Sequence, residues 1–437
     1  MRQITIVGTG YVGLVSGAGI SEFGHHVTCV DIDNDKIDRL KSGEIPIYEP
    51  GLESLVKQNI AKGRLHFSSD VSKAIQDSDV IFIAVGTPQG SNGEADLGAV
   101  EAVAKTIGEN LNAYKIICTK STVPIGTGKR IENIIRSVNP QADFDYVSNP
   151  EFLREGAAVK DFMHPDRVVL GARTSRAIDA MREVYRPLYI NETPILSTSV
   201  ETAEMIKYAA NAFLALKISF INEIANLSEA VDADVHEVAR GMGLDGRISP
   251  KFLHPGPGFG GSCFPKDTQA LAAAGRKNGT PLPTIEAAIK TNAMQKTRMV
   301  EKLKRLMNDD LSGKSVAVLG LAFKPQTDDV REAASRVIIP KLVESGVTVH
   351  AYDPIAMENF KNHHPDINYF DSWQSAVKNV DACIVLTEWN EFRGLDLGEL
   401  KKYMKTPILL DTKNILSISQ LDSMGFIYDN VGRTKSQ

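Results

Sequence analysis

The chain has 437 residues, 43% of them hydrophobic and 24% charged, a globular composition long enough for about three domains. A formal net charge of -5 gives no general attraction to nucleic acid or to anionic membranes, so any bound phosphate has to be held by local groups. No apolar stretch reaches the ~20 residues needed to cross a bilayer, and the four cysteines, Cys29, Cys118, Cys263 and Cys383, form no CxxC pair, which argues against a disulfide framework and a structural zinc site.

The first residues run directly into a strand, and a soluble cytoplasmic protein is expected. Residues 3–8 read as a buried strand, Gly8-Thr9-Gly10-Tyr11-Val12-Gly13 as a turn into a helix reaching Gly24, and residues 27–31 as the next strand, together a βαβ unit. Its three glycines suit a tight turn, close approach of backbone to a pyrophosphate, and packing of helix on strand; the helix N-terminus favours the negative charge. Asp31 ends the second strand, where a carboxylate accepts hydrogen bonds from a ribose diol and repels a 2′-phosphate. This argues for NAD over NADP, against the plainer role of capping the strand end.

Residues 80–85 and 115–119 read as further parallel strands, each ending in a polar loop where ligands gather. In residues 149–156, Glu151 and Glu155 are four apart after a strand, and Pro150 suits a helix start. Residues 200–230 read as one long helix with no Gly or Pro inside, carrying Ala203, Ile206, Ala210, Phe213, Leu214 and Ile218 at helical spacing. On it Lys207 and Asn211 share a face, so both could point into one cleft, although such residues alone are usually solvated.

After a charged stretch at 309–314 a second α/β cycle echoes the first: strand 315–319, a turn at Gly320, a helix over 333–345, and strands 347–353, 382–386 and 407–411. The tail from Val431 reads as frayed. The expected fold is α/β, two doubly wound Rossmann-like domains joined by a central helical region with a long helix, bounded at 1–199, 200–300 and 301–437.

Cys263 closes the run Gly256-Pro257-Gly258-Phe259-Gly260-Gly261-Ser262-Cys263 and is followed by Phe264-Pro265-Lys266-Asp267. Four glycines give up backbone entropy to let something come close, a poor setting for the usual fate of a lone cysteine as a small core residue. Cys29, Cys118 and Cys383, in apolar strand-like segments, fit that fate well. A thiol working with a nicotinamide cofactor extends what oxidation can reach. An alcohol loses one hydride to become an aldehyde, the thiol adds to the carbonyl, the hemithioacetal loses a second hydride to become a thioester, and water releases an acid.

Taken together, the Gly8–Gly13 turn, Val85-Gly86-Thr87-Pro88, Ser121-Thr122-Val123-Pro124, residues 149–156 and 207–213, the cysteine loop and Gly320-Leu321-Ala322-Phe323-Lys324 resemble the nucleotide-sugar 6-dehydrogenases nearly end to end. The resemblance implies four-electron oxidation of UDP-glucose at C6 to UDP-glucuronate with two NAD and one water. It makes Cys263 the nucleophile and places Lys207 and Asp267 around the reacting oxygen and the water; Asn211 can donate a further hydrogen bond to that oxygen, and either Asp267 or Glu151, the latter through a water held by Thr122, can act as the base. It puts the cofactor on Gly8, Gly10, Tyr11, Val12, Gly13 and Asp31, joined by Lys36, Thr87, Thr122, Glu155 and Arg331. The nucleotide sugar would lie along Glu151, Phe152, Leu153 and Glu155, Lys207 and Asn211, Phe252, Gly258, Phe259, Gly260, Cys263 and Phe264, and Lys324. Arg247 would reach in from a neighbouring subunit, which implies a homo-oligomer, at least a dimer, built on the central helix.

One departure bears on substrate choice. Where many members have Asp-Gly-Arg after the last strand, this chain has Asp411-Thr412-Lys413, which keeps the charge and loses the bidentate fork. The alternatives are a dehydrogenase of GDP-mannose or a UDP-N-acetyl sugar, a non-catalytic nucleotide-sugar sensor, and a two-electron hydroxyacid dehydrogenase, which needs neither the cysteine loop nor a second sheet. No metal, nucleic-acid or membrane partner is indicated.

Overall fold

The structure, a computed structural model, describes residues 1–90 and 93–434. Among the described residues fourteen strands form two sheets. The first contains β1 (Gln3–Val7), β2 (His26–Val30), β3 (Leu65–Ser68), β4 (Val80–Ile83), β5 (Lys115–Thr119), β6 (Phe144–Ser148), β7 (Val168–Ala172) and β8 (Ile195–Thr198), in the order β3-β2-β1-β4-β5-β6-β7-β8. All neighbours are parallel except β6 and β7. The second contains β9 (Ser315–Leu319), β10 (Thr348–Tyr352), β11 (Asn368–Tyr369), β12 (Ala382–Val385), β13 (Ile408–Asp411) and β14 (Ile427–Asp429), all parallel, in the order β11-β10-β9-β12-β13-β14. The first six strands of each sheet follow the same doubly wound order, whose reversal beside the first strand opens a crevice at the strand ends.

The chain divides into two compact units, Met1–Ala210 with Ala273–Gly279, and Asn211–Ala272 with Thr280–Gln437. In each, strand residues alternate between two apolar layers, as burial on both faces demands. In the first unit Ile4, Ile6, Val80 and Phe82 enter one layer and Val7, Ile81 and Ile83 the other. In the second, Val316, Val318, Ala382 and Ile384 face one layer and Ala317, Leu319, Cys383 and Val385 the other. Among the described residues no helix is long and apolar enough to cross a membrane.

The turn after β1 forms as its glycines predict. Gly8 has φ +103 and donates to Val30 O at 2.8 Å, and a Cβ there would stand 2.7 Å from Ala84 O, so a side chain is excluded on both counts. The helix that follows is Tyr11–Glu22. The second sheet repeats the turn: Gly320 donates to Tyr352 O, and the Asp353 carboxylate accepts from the amides of Leu321 and Ala322 as Asp31 accepts from that of Thr9. Asp353, however, is fully buried and also takes bonds from Ile355, Ala356 and the Trp389 indole, so it closes its own loop.

The long helix runs Val200–Ala230. Its buried face carries Ala203, Lys207, Ala212, Ala215, Ile221 and Asn222, while the large apolar Phe213, Phe220 and Leu227, spaced seven apart and so on one face, are exposed. Of the apolar residues at helical spacing, Ala203 is buried and Ile206, Ala210, Leu214 and Ile218 are half-buried, whereas Phe213 is 61% exposed.

Two local expectations fail. Residues 149–154 are not helical and the helix begins at Ala158, so Glu151 and Glu155 do not share a helical face. A peptide held by long-range bonds overrides the local Pro150 signal, as described below. The segment from Val431 to Arg433 is not frayed: Val431 is buried, Gly432 donates to Glu229 and its carbonyl accepts from Val235, and the Asn414 side chain bonds Val431 at both ends. Residues 435–437 lie outside the described residues.

Candidate functional site

In the first unit the helix Tyr11–Glu22 starts at Gly10 with no side-chain cap, and nothing lies within 4 Å of where a Gly10 Cβ would be. Uncapped first-turn amides over open space fit a pyrophosphate. Asp31, 17% exposed at its side chain, accepts from Thr9 N (2.9 Å) and Thr9 Oγ1 (2.6 Å) and lies 3.4 Å from Lys36 Nζ. Burial alone would raise its pKa, but the Thr9 bonds and the Lys36 charge hold it below the usual carboxylate range. It therefore stays ionised at the strand end. The loops after β4 and β5 are stitched together: Thr87 Oγ1 donates to Thr122 O at 2.9 Å and Ser121 Oγ to Val85 O at 2.7 Å.

Glu151 follows β6 and is nearly closed to solvent. Its Oε1 accepts from Lys207 Nζ at 2.8 Å and its Oε2 from Leu153 N at 2.6 Å, with the two side chains 5% and 3% exposed. Burial pushes the Glu151 carboxyl upward, and the Lys207 ammonium outweighs it, leaving the pKa low. Phe152 lies 5.3 Å from Lys207 Nζ and is stacked by Arg167 at 3.5 Å. Val12, Leu153 and Glu155 also lie in this unit.

The second unit organises the cysteine. Helix Phe264–Lys277 begins directly after Cys263, whose carbonyl accepts from Asp267 N at 2.8 Å. Cys263 is half-buried, with Ser262 Oγ 3.6 Å from Sγ, while Cys29, Cys118 and Cys383 are fully buried; burial pushes the Cys29 thiol up to about 12. Asp267, 1% exposed, accepts from Asn211 Nδ2 at 2.7 Å and Lys266 Nζ at 2.8 Å. Lys207 and Asn211, one turn apart on the long helix, thus each hold a different carboxylate.

Buried amides fix the glycine loop. Asn222 Oδ1 accepts from Gly256 N (2.8 Å), Gln295 Nε2 donates to Gly256 O (3.0 Å), and the Asn292 carboxamide bonds Phe259 at both N–H (2.7 Å) and C=O (3.0 Å). Gly258, at φ +102, has no room for a Cβ, which would meet Asn292 Oδ1 at 2.8 Å. Around it Phe252, Phe259 and Phe264 pack edge to face and tilted, 6.0 to 6.2 Å apart. Gly261 donates to Arg331 O at 2.8 Å, and a Cβ on Gly260 would meet Glu332 O.

Arg331 is ion-paired to Asp329, Lys324 Nζ sits 5.2 Å over the Phe323 ring, and Arg247, 90% exposed at its side chain, pairs with Asp245. Lys413 is bound to Glu388 at 2.8 Å, with its stem close to Gly256. Its charge is therefore matched within the protein beside the glycine loop.

Three further buried charged residues hold the loops of the first unit and were not singled out by the sequence. Glu49 accepts from the Tyr11 hydroxyl and from Gly156 N (2.6 Å) and Ala158 N (2.7 Å), setting the loop that holds Glu155. Glu204 caps helix Thr127–Val138 through Gly126 N (2.6 Å) and Gly128 N (2.8 Å); burial pushes it up to about 7 against those bonds. Lys120, at the end of β5, is buried against Asn149 and Tyr185. Only Glu49, in a Pro-Gly turn, carried a local cue.

Comparison with known proteins agrees with this architecture. Residues 2–189 match the NAD binding domain, 201–294 the central domain, and 317–418 the UDP binding domain of the UDP-glucose/GDP-mannose dehydrogenase family. The chain is similar to the UDP-glucose 6-dehydrogenase of Rhizobium meliloti (strain 1021), 51% identical over 99% of both chains, and to that of Bacillus subtilis (strain 168) named TuaD, 49% identical over 99% of this chain and 94% of the other. A solved UDP-glucose dehydrogenase from the hyperthermophilic archaeon Pyrobaculum islandicum has TM-score 0.93 and 36% identity, covering 99% of this chain and 98% of its own. With a fingerprint turn and ionised Asp31 suited to NAD, and with these matches along its length, the chain is an NAD-dependent oxidoreductase that belongs to the UDP-glucose/GDP-mannose dehydrogenase family.

Proposed function

We propose that the enzyme oxidises C6 of UDP-glucose to the carboxylate of UDP-glucuronate, with two NAD and one water per sugar. The similarity to two UDP-glucose 6-dehydrogenases at about half identity over the whole chain carries the substrate. The half-buried thiol at the start of a helix supports the four-electron course, because the positive end of the helix dipole favours a thiolate. NAD supplies the two hydride acceptances.

In this reading the chain's own groups act as follows. The Lys207 ammonium and the Asn211 amide stabilise the oxyanion that develops at C6. The Cys263 thiolate adds to the aldehyde carbon, and loss of the second hydride leaves a thioester. Asp267 or Glu151 takes a proton from the attacking water, the C–S bond breaks, and the thiolate is regenerated. Tyr11, Val12 and Thr122 line the cofactor loops, and Glu155, Phe152, Lys324 and the glycine loop would hold the nucleotide sugar. Purified enzyme with UDP-glucose is expected to form two NADH per sugar and a product of carboxylate mass. One NADH per sugar would favour a two-electron dehydrogenase, and faster turnover of GDP-mannose or a UDP-N-acetyl sugar would reassign the substrate.

The protein is further proposed to be a cytoplasmic homodimer, consistent with use of NAD and a sugar nucleotide and with three thiols kept reduced in its cores. The exposed Phe213, Phe220 and Leu227 on one face of the long helix support self-association, since so aligned an apolar stripe is costly to leave in water. The double variant Phe213→Glu/Phe220→Glu is expected to sediment as a monomer. A parental species that is already monomeric at micromolar concentration removes the proposal, and with it a contribution of Arg247 to a neighbouring subunit.

A further inference from the structure

Lys120 lies at the carboxyl end of β5 and is 6% exposed, close to the charge of Lys207 and Glu151, which are 3% and 5% exposed. Two buried cations thus accompany one buried carboxylate. Lys207 is committed to Glu151, whereas the hydrogen bonds of Lys120 go to uncharged oxygens, Asn149 Oδ1 at 3.2 Å and the Tyr185 hydroxyl at 3.3 Å. The rings of Phe162 and Tyr185 lie 6.0 and 5.7 Å from its ammonium. The Tyr185 hydroxyl also donates to Asn149 Oδ1 at 2.6 Å, and Asn149 Nδ2 donates to Val169 O at 2.8 Å. Asn149 is one proline away from Glu151, so the lysine grips the peptide that presents the carboxylate.

An unmatched cation in such a place is costly, and burial lowers the Lys120 pKa to about 8. The other titratable groups facing it, Cys118 and Tyr185, are buried with raised pKa values and are neutral near pH 7, so they do not balance its charge. Resting on the reading of Lys207 as the oxyanion partner, a consequence follows. When the Lys207 ammonium turns to the substrate oxygen, Glu151 loses its direct ion pair, and only the Leu153 amide bond and the charge of Lys120 are left to hold it ionised against burial. We propose that Lys120 is a positioning residue for the oxidation: it is the standing second cation that keeps Glu151 ionised while Lys207 serves the substrate, and it holds the Asn149-Pro150-Glu151 peptide in place.

The test compares kcat against pH for the parental enzyme, Lys120→Met, Lys120→Gln and Tyr185→Phe, with NADH binding as the check that each is folded. Removing a cation raises the pKa of a nearby carboxylate, so the acidic limb of both lysine variants is expected to move to higher pH by about 1 unit, the scale of one neighbouring charge. The loss is then about tenfold at the acidic end and shrinks at alkaline pH. Tyr185→Phe removes a hydrogen bond from the same cluster and leaves the charge, so its limb stays at the parental position. An unmoved limb in the lysine variants overturns the proposal. So does an equal movement in Tyr185→Phe, or a failure of both lysine variants to bind NADH while Tyr185→Phe binds it, either of which makes the cluster merely structural. The profiles are taken with whichever nucleotide sugar the parental enzyme oxidises, so failure on UDP-glucose tests the substrate and not Lys120.

Discussion

Cys263→Ala is expected to lower the rate of acid formation by roughly 10³-fold or more, the order lost when a covalent nucleophile is removed. Without sulfur the aldehyde has only its hydrate to offer for a second oxidation. The protein itself should be unharmed. Cys263 is half-buried at a helix start and its removal opens no sealed cavity, so NADH binding by the first unit should persist. Cys263→Ser gives a sharper signature. A hydroxyl is a weaker nucleophile and an ester a slower acyl donor to water, so the second oxidation stalls at an acyl-enzyme detectable as a mass increase on the peptide carrying residue 263. Acid formation by Cys263→Ala at the parental rate would remove covalent catalysis, leaving a mechanism in which the glycine loop only binds sugar.

What the sequence disclosed and what it hid divide along contact range. The turn from Gly8 to Gly13 is legible because neighbouring backbone leaves no room for a side chain at either end of it, and Asp31 is legible from its place at the end of the next strand. The repeat around Gly320 is legible for the same reason, yet the sequence does not show that Asp353 is sealed by Trp389, 36 residues away. The long helix is legible from 31 residues without Gly or Pro, but its orientation is not. Helical spacing alone does not show that Phe213 is exposed, or that the buried face carries Lys207, Asn211 and Asn222 because those side chains find Glu151, Asp267 and Gly256.

The same reason accounts for the misreadings. Pro150 suggests a helix start, but Glu49, more than 100 residues earlier in the chain, takes the amides of Gly156 and Ala158 and delays the helix to Ala158. The tail from Val431 looks frayed by composition, but Glu229 and Asn414 supply its partners. Lys120 carries no motif of its own; its burial beside Asn149 becomes visible only when β5 and β6 are paired.

Lys207→Ala is expected to cost both activity and stability, and the pH dependence of the second effect separates it from simple loss of packing. Loss of an oxyanion donor accounts for a fall of about 10²–10³ in kcat. Breaking one side of a buried pair leaves the Glu151 carboxylate without its ion partner, worth about 3–5 kcal/mol. In the parental enzyme the Glu151 pKa lies below its unfolded value, so its contribution is present above the unfolded pKa and is lost as pH falls through the folded one. In the variant burial dominates and the pKa lies above the unfolded value, so the penalty is full at alkaline pH and is relieved as the carboxyl takes up a proton. The stability gap between parent and variant, measured by thermal or urea unfolding, should therefore be widest near pH 8 and close toward pH 4–5. Lys120 limits how far the Glu151 pKa can rise, so adding Lys120→Met to Lys207→Ala should push the closing of that gap to higher pH. A gap that is constant with pH would mean that Lys207 fills space beside Phe152 and holds no ionised partner.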